Sequence, residues 1–204
     1  MTYYLPGQRI EVCGGIASGK TTLVHLLAQS GMLASYEDFR ANPFWSAFYE
    51  NPTLSSFETE ITFFLQHYHN IKIRNDNKSG FATDFSLWLD LAYARVTLDQ
   101  RKQAIFSLIH AEVIHEIGHP TLLVHLECDA ETQLSRVRRR ARAEEESITL
   151  EYLIDINRML HSVLAESAND LNIVRINSSN IDFINSSDGK EFALYLISKA
   201  ISHS

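Results

Sequence analysis

At 204 residues, 45% hydrophobic and 21% charged, the chain has the composition of one soluble globular domain, expected to span residues 1–204 around a substantial core. No apolar run is long enough to cross a bilayer, and the N-terminus lacks the basic and apolar regions of a signal peptide, so the expected location is the cytoplasm, with no membrane partner. A net charge of −7 argues against wholesale nucleic-acid binding, and two cysteines, Cys13 and Cys128, exclude a disulfide framework.

In chain order, residues 1–8 read as an irregular lead, and Arg9–Cys13 as a short strand. The stretch from Gly14 to Thr21 then satisfies G-x-x-x-x-G-K-[ST] through Gly14, Gly19, Lys20 and Thr21, and a helix follows to about Gln29. Glycines let the backbone curl until successive N–H groups face one centre, at the positive end of the following helix. The loop from Gly14 through Gly15, Ile16, Ala17, Ser18 and Gly19 to Lys20, Thr21 and Thr22 is therefore the expected cradle for the phosphates of ATP. Lys20 is expected on the β- and γ-phosphates, and the Thr21 hydroxyl on Mg²⁺.

Ser30 and Gly31 stop that helix, and residues 32–36 form a second short strand that delivers Glu37 at its carboxyl end, where ligands bind in open α/β sheets. Asn42-Pro43 opens a turn and an aromatic segment reaching Tyr49. A long helix is predicted over 54–74, with Phe57, Ile61, Phe64, Leu65, Tyr68 and Ile71 on its apolar face and Glu60 and His67 two turns apart. Residues 75–80 read as a polar turn, and Phe81–Thr83 as a brief strand ending in Asp84. Two helices, over 87–96 and 104–117, are expected on either side of a charged joint at Asp99-Gln100-Arg101-Lys102.

The clearest strand, over 121–126, is β-branched and continuous enough to be central. Helices over Ala130–Arg140 and Leu150–Glu166, a strand over 171–176 and a closing helix over 192–201 complete the chain. Alternating strands and helices predict an α/β fold with a five-stranded parallel sheet flanked by helices.

Phosphoryl transfer needs an anion cradle, a metal, cationic groups and a base for the acceptor hydroxyl. Glu37 fits the base, and Asp84 fits a Mg²⁺ ligand or the N-cap of the helix beginning near Ser86. Five arginines, Arg136, Arg138, Arg139, Arg140 and Arg142, run into Glu144-Glu145-Glu146, which suits a lid over about 136–147 that closes on ATP. The same run also fits a solvated face or a nucleic-acid patch. The nine histidines show no metal-ligand spacing.

Beyond these readings, the chain resembles the deoxynucleoside kinases, within them the bacterial deoxyguanosine/deoxyadenosine branch, over nearly its whole length. The resemblance is carried by Glu37 followed by Asn42-Pro43-Phe44 and Tyr49, by Phe57-x-x-Glu60 with His67 and Asp90, and by Arg136-x-x-x-Arg140-Ala141-Arg142-x-x-Glu145. It implies a P-loop kinase fold with a short arginine-rich lid, and ATP-dependent phosphorylation of a deoxynucleoside 5′-hydroxyl in nucleotide salvage. It further implies Glu37 as base, sugar contacts from Tyr49 and Glu145, and base reading by Glu60, His67 and Asp90. Arg136, Arg140 and Arg142 are implied on the phosphates, Asp182 and Phe183 on the adenine of ATP, and a homodimer through helices around 54–74 and 88–117.

Three positions depart from the family pattern. Phe85 stands where many members have an arginine, removing one cation near the acceptor, although the bacterial guanosine branch also tends to carry an aromatic there. Ala141 replaces a lid glycine, and Glu60 replaces a glutamine. An ionised glutamate only accepts hydrogen bonds, which suits the adjacent N1–H and amine of guanine, so deoxyguanosine is expected over deoxyadenosine, with pyrimidines worst. The alternatives are a kinase of a nucleoside monophosphate or another small hydroxyl acceptor, or a non-catalytic nucleotide-binding or structural protein of the same fold.

Overall fold

The computed structural model describes residues 7–75, 80–183 and 186–202. Residues 1–6 of the expected lead over 1–8 and most of the expected turn over 75–80 lie outside them. Five parallel strands, β1 (Arg9–Cys13), β2 (Leu33–Ser35), β3 (Phe81–Thr83), β4 (Leu122–Glu127) and β5 (Ile173–Asn177), form one sheet in the order β2-β3-β1-β4-β5. β1 is central, with Glu11 opposite Thr83 on one side and Cys13 opposite His125 on the other. Every strand thus ends on the same edge, and those ends carry the loops that build the cleft.

Among the described residues, eight α-helices flank the sheet: α1 (Lys20–Gln29), α2 (Trp45–Glu50), α3 (Pro52–Lys72), α4 (Leu87–Thr97), α5 (Gln100–Ile117), α6 (Ala130–Arg140), α7 (Leu150–Glu166) and α8 (Ser187–Ser202). The two faces bury separate apolar clusters. One joins Ile10, Val12, Leu23, Leu27 and Val124 to α1 and α8; the other joins Phe64, Phe85, Trp88, Phe106, Leu160 and Leu164 across α3, α4, α5 and α7. Both cysteines are buried as small core residues. Among the described residues no helix is long and apolar enough to cross a membrane.

Several boundaries differ from the sequence reading, two of them because a polar side chain caps a helix rather than extending a loop. Asp99 accepts from the Lys102 backbone N–H at 3.0 Å, so the charged joint is the first turn of α5. Ser186 accepts from the Gly189 N–H at 3.1 Å, just before α8, which therefore starts at Ser187 instead of 192. The aromatic segment before Tyr49 is helix α2, and the long helix α3 begins at Pro52, proline at the first helical position costing no hydrogen bond. The cap of α4 is Ser86, whose hydroxyl accepts from Trp88 N–H at 3.2 Å, which frees Asp84 from that task. The strand β1 holds a fully buried Glu11 with Arg9 Nε at 3.4 Å. Burial pushes Glu11 up to about 7.

Candidate active site

A cavity of about 1110 Å³ opens along the carboxyl ends of the strands, large enough for a nucleotide and a second ligand end to end. Its wall runs from Ile16, Ala17, Ser18, Gly19, Lys20, Thr21 and Thr22 past Glu37 and Asp84 to Tyr49, Glu60, His67 and Asp90. Arg136, Arg140, Arg142 and Glu145 close one side, and Asp182 and Phe183 lie near the loop. The structure therefore brings together every residue given a site role from the sequence except Gly14 and Gly15, which do not line the cavity; Arg138 of the arginine run instead donates to Glu146 O and Ile148 O.

Those two glycines act on the loop from behind. A Cβ on Gly14, at φ 148°, would meet Ser18 Oγ at 2.6 Å and Leu126 O at 2.7 Å. A Cβ on Gly15 would meet Gln133 Nε2 at 2.3 Å and Asn157 Oδ1 at 2.5 Å. Gln133 and Asn157, unforeseen from the sequence, bond each other and fasten α6 to α7 under the loop. Lys20 Nζ folds onto Gly14 O and Gly15 O at 2.9 and 3.1 Å, and burial depresses its pKa. Ser18 Oγ is buried without a hydrogen-bond partner among the described residues. A curled glycine loop, an inward lysine and an orphaned hydroxyl fit a phosphate chain.

Thr21 Oγ1 donates to Asp84 Oδ2 at 2.7 Å, while Asp84 Oδ1 accepts the Glu37 backbone N–H at 2.7 Å. Burial raises the Asp84 pKa, offset by these two donors. Hydroxyl and carboxylate oxygens side by side at the end of the loop are the donor set of a hard cation, so these residues fit Mg²⁺.

At the acceptor end, His67 lies between two carboxylates. Its Nδ1 bonds both Asp90 oxygens, at 3.0 and 2.9 Å, and its Nε2 sits 3.3 Å from Glu37 Oε1. The ring stacks on Phe85 with centroids 4.2 Å apart and planes 7° from parallel. Burial alone would lower the His67 pKa, but Asp90 and then Glu37 raise it to about 10, so it is an imidazolium at neutral pH. Burial would likewise raise Glu37, but the proximity of His67, with Lys20 and Arg142, holds it below the usual carboxylate range. Both nitrogens of His67 thus face carboxylates, Nε2 without a hydrogen-bond partner among the described residues. His67 also restores the cation that Phe85 removed: the aromatic ring that replaces arginine is the platform on which the imidazolium stacks.

Glu60, 6% exposed, meets the hydroxyl of Thr97 at 3.0 Å, and that hydroxyl also faces Tyr93 O at 2.9 Å. A hydroxyl carries one hydrogen. That hydrogen is donated to Glu60 Oε1 or to Tyr93 O, one at a time, so Thr97 compensates a charge on Glu60 only in part. Burial pushes Glu60 up to about 8, against the hydrogen bond from Thr97 and with help from Asp90 and Glu37. The ionised Glu60 assumed from the sequence is thus not the form that this pocket favours at neutral pH. Thr97 carries no motif; only the fold brings it to Glu60.

The lid arginines are engaged. Arg140 grips buried Glu145 with two hydrogen bonds, at 2.6 and 2.5 Å, and Arg142 reaches it at 3.3 Å. Arg142 also lies over the Phe39 ring, 4.5 Å from its centroid. Arg136 donates to Ser178 O at 2.8 Å and to Ala17 O, within the phosphate loop, at 3.3 Å. Residues 136–140 are the last turns of α6, Ala141 then turns left-handed at φ 50°, and Ala143–Glu145 form a short 3-10 turn. Tyr49 packs edge-on to Trp45 and Phe48, and burial pushes its phenol well up.

A parallel sheet with a phosphate loop at its central strand, and a deep acceptor pocket beside it, is the P-loop kinase fold. Residues 10–202 match the deoxynucleoside kinase family, and the chain belongs to that family of phosphotransferases. Over 181 residues it is 26% identical to the deoxyadenosine kinase of Dictyostelium discoideum, covering 86% of this chain and 74% of that protein. Over 145 residues it is 30% identical to the deoxyadenosine/deoxycytidine kinase of Bacillus subtilis, covering 67% of each. The structure of deoxyadenosine kinase from M. mycoides with bound dCTP shares the fold, with a TM-score of 0.79 at 18% identity over 94% of this chain and 99% of that one.

Proposed function

We propose that the protein phosphorylates the 5′-hydroxyl of purine deoxynucleosides with ATP as donor and Mg²⁺ as cofactor, in cytoplasmic nucleotide salvage. The observation that carries this reading is the spacing of one cleft: the phosphate cradle at Lys20 and the carboxylate of Glu37 face each other across Asp84 and Thr21. Glu37, with 37% of its side chain exposed to the cleft, accepts the hydrogen of the 5′-hydroxyl and orients its oxygen. Its depressed pKa makes it a weak base, which suits a loose transition state in which the proton leaves late. Thr21 and Asp84 would hold Mg²⁺, which would supply charge neutralisation for the phosphates. Lys20 leaves its own loop carbonyls for the phosphates, and Arg140 and Arg142 exchange Glu145 for them as the sugar arrives.

Base preference rests on the protonation of Glu60. Neutral Glu60 donates and accepts, like the family glutamine, and suits adenine; the carboxylate suits guanine. Ionising it at pH 7 from about 8 costs about 1.4 kcal/mol, less than the roughly 1.5–3 kcal/mol contributed by each charge-assisted bond to guanine N1–H and its amine. Deoxyguanosine keeps its advantage over deoxyadenosine, but a narrow one. Exposed Leu65 on α3 and Ile105 and Leu108 on α5 support a homodimer through those helices.

The test is ATP-coupled phosphorylation of the four deoxynucleosides, guanosine and dGMP, comparing the wild type with Glu37→Gln. Purine deoxynucleosides are expected to turn over, with the variant losing about 10²–10⁴-fold in kcat. Turnover of dGMP alone would replace this acceptor with a monophosphate.

A further inference from the structure

We propose that His125, Glu127 and His161 form a second cation site, for a divalent transition metal of the Zn²⁺ class, separate from the Mg²⁺ position at Thr21 and Asp84. One ligand atom from each lies within 4.8 Å of the others, and two imidazoles with one carboxylate are the donors such ions select. His125 and Glu127 alternate along β4 and so share the face of the sheet covered by α7, which contributes His161. The sequence conceals the site because its third ligand comes from a different element.

The independent observation is His125 itself. Its side chain is 4% exposed, its Nδ1 has no hydrogen-bond partner among the described residues, and that nitrogen is aimed at Glu127 Oε1 at 3.9 Å. A buried orphaned nitrogen is uncommon and calls for an explanation, and a metal bond is one. The His125 and His161 rings meet edge to face with centroids 5.0 Å apart. His161 is exposed and Glu127 partly so, which leaves the cation a way in from solvent. Tetrahedral ligands at zinc distances stand roughly 3.4 Å apart, so closing the site needs about 1 Å of movement, available to the two less buried side chains. Arg175 is the competitor: its Nε lies 3.6 Å from Glu127 Oε1. Its side chain is 46% exposed and free to swing into solvent.

A cation here staples β4 to α7. One turn before His161, Asn157 bonds Cys128 O and Gln133 at 3.1 and 2.9 Å, directly behind Gly15, so the staple braces the underside of the phosphate loop.

The experiment is equilibrium dialysis of the intact protein against Zn²⁺ in the presence of millimolar Mg²⁺, with Co²⁺ absorption as a reporter of ligand geometry and Tm as a readout that needs no turnover. One Zn²⁺ per chain is expected, with a rise in Tm of about 5 °C at a hundredfold excess over Kd. Loss of an outer-shell partner weakens metal sites about 10–100-fold, so His161→Ala, at an exposed position, has to weaken binding at least that much and remove the Tm rise. Arg175→Gln has the opposite sign and strengthens binding by removing the rival for Glu127. Absence of Zn²⁺ binding, binding undiminished in His161→Ala, or displacement by Mg²⁺ would each overturn the proposal.

Discussion

At the phosphate end of the cleft, charge is handled by Lys20 and by a backbone loop whose shape Gly14 and Gly15 guarantee. At the acceptor end, Glu37, Glu60, Asp90 and His67 share a confined space and set one another's protonation. The first region is specified by geometry and tolerates little substitution at Gly14 and Gly15. The second is specified by charge balance, so each replacement shifts the others, and its chemistry moves with pH. On the proposed reading, the phosphate end sets the reaction and the acceptor end tunes its substrate.

The largest expected effect comes from breaking that balance. His67→Ala leaves Asp90 buried without its cation and is expected to cost about 3–5 kcal/mol of stability, read as a fall in the urea midpoint. His67→Arg, which restores the charge, recovers part of it. If alanine is tolerated with an unchanged midpoint, the pair is no structural unit and the comparison collapses. Next in size is Lys20→Ala at the other end, expected to lower kcat by about 10²–10³-fold with Tm unchanged, since this lysine bonds only its own loop. A loss of stability comparable to that of His67→Ala would make the two ends alike.

A smaller effect sharpens the contrast through pH. Burial raises Glu60 to about 8, so its neutral form dominates below that pH and ionises as pH rises through it. The ratio of kcat/KM for deoxyguanosine over deoxyadenosine is therefore expected to climb between about pH 7 and 9, by up to roughly a hundredfold. In Glu60→Gln the ratio is flat and shifted towards adenine. A wild-type ratio independent of pH would mean that Glu60 does not read the base.

These differences also explain what the sequence discloses. The phosphate loop is contiguous and its glycines have one steric reason each, so Gly14 to Thr22 was readable as a unit, as were the five strands that alternate with helices. The acceptor pocket is assembled from α3, α4 and the end of β2, and its residues were legible as positions but not as states. Nothing in the order of residues says that Thr97 meets Glu60, that Asp90 takes both oxygens to His67, or that Phe85 carries the imidazolium instead of merely lacking an arginine. Protonation follows from burial and neighbours, and both exist only after folding. Helix starts failed for a related reason: at Asp99 and Ser186 a capping side chain has the same polar signature as a loop.

The smallest prediction concerns the hinge between the two regions. Ala141 ends α6 in the left-handed conformation, φ 50° and ψ 45°, which costs a residue with a Cβ about 1–2 kcal/mol. Glycine removes that strain but costs about 0.5–1 kcal/mol in unfolded-chain entropy. The difference leaves Ala141→Gly more stable by about 0.5 kcal/mol, a rise in Tm of roughly 1–2 °C. Ala141→Val, branched at Cβ, has the opposite sign and a larger size. Because Arg140 and Arg142 flank this residue and both hold Glu145, the strain is located where the lid arginines must let go. Relieving it should favour the resting grip and slow release, so a glycine variant that gained stability and turned over faster would place the strain outside the path of lid opening.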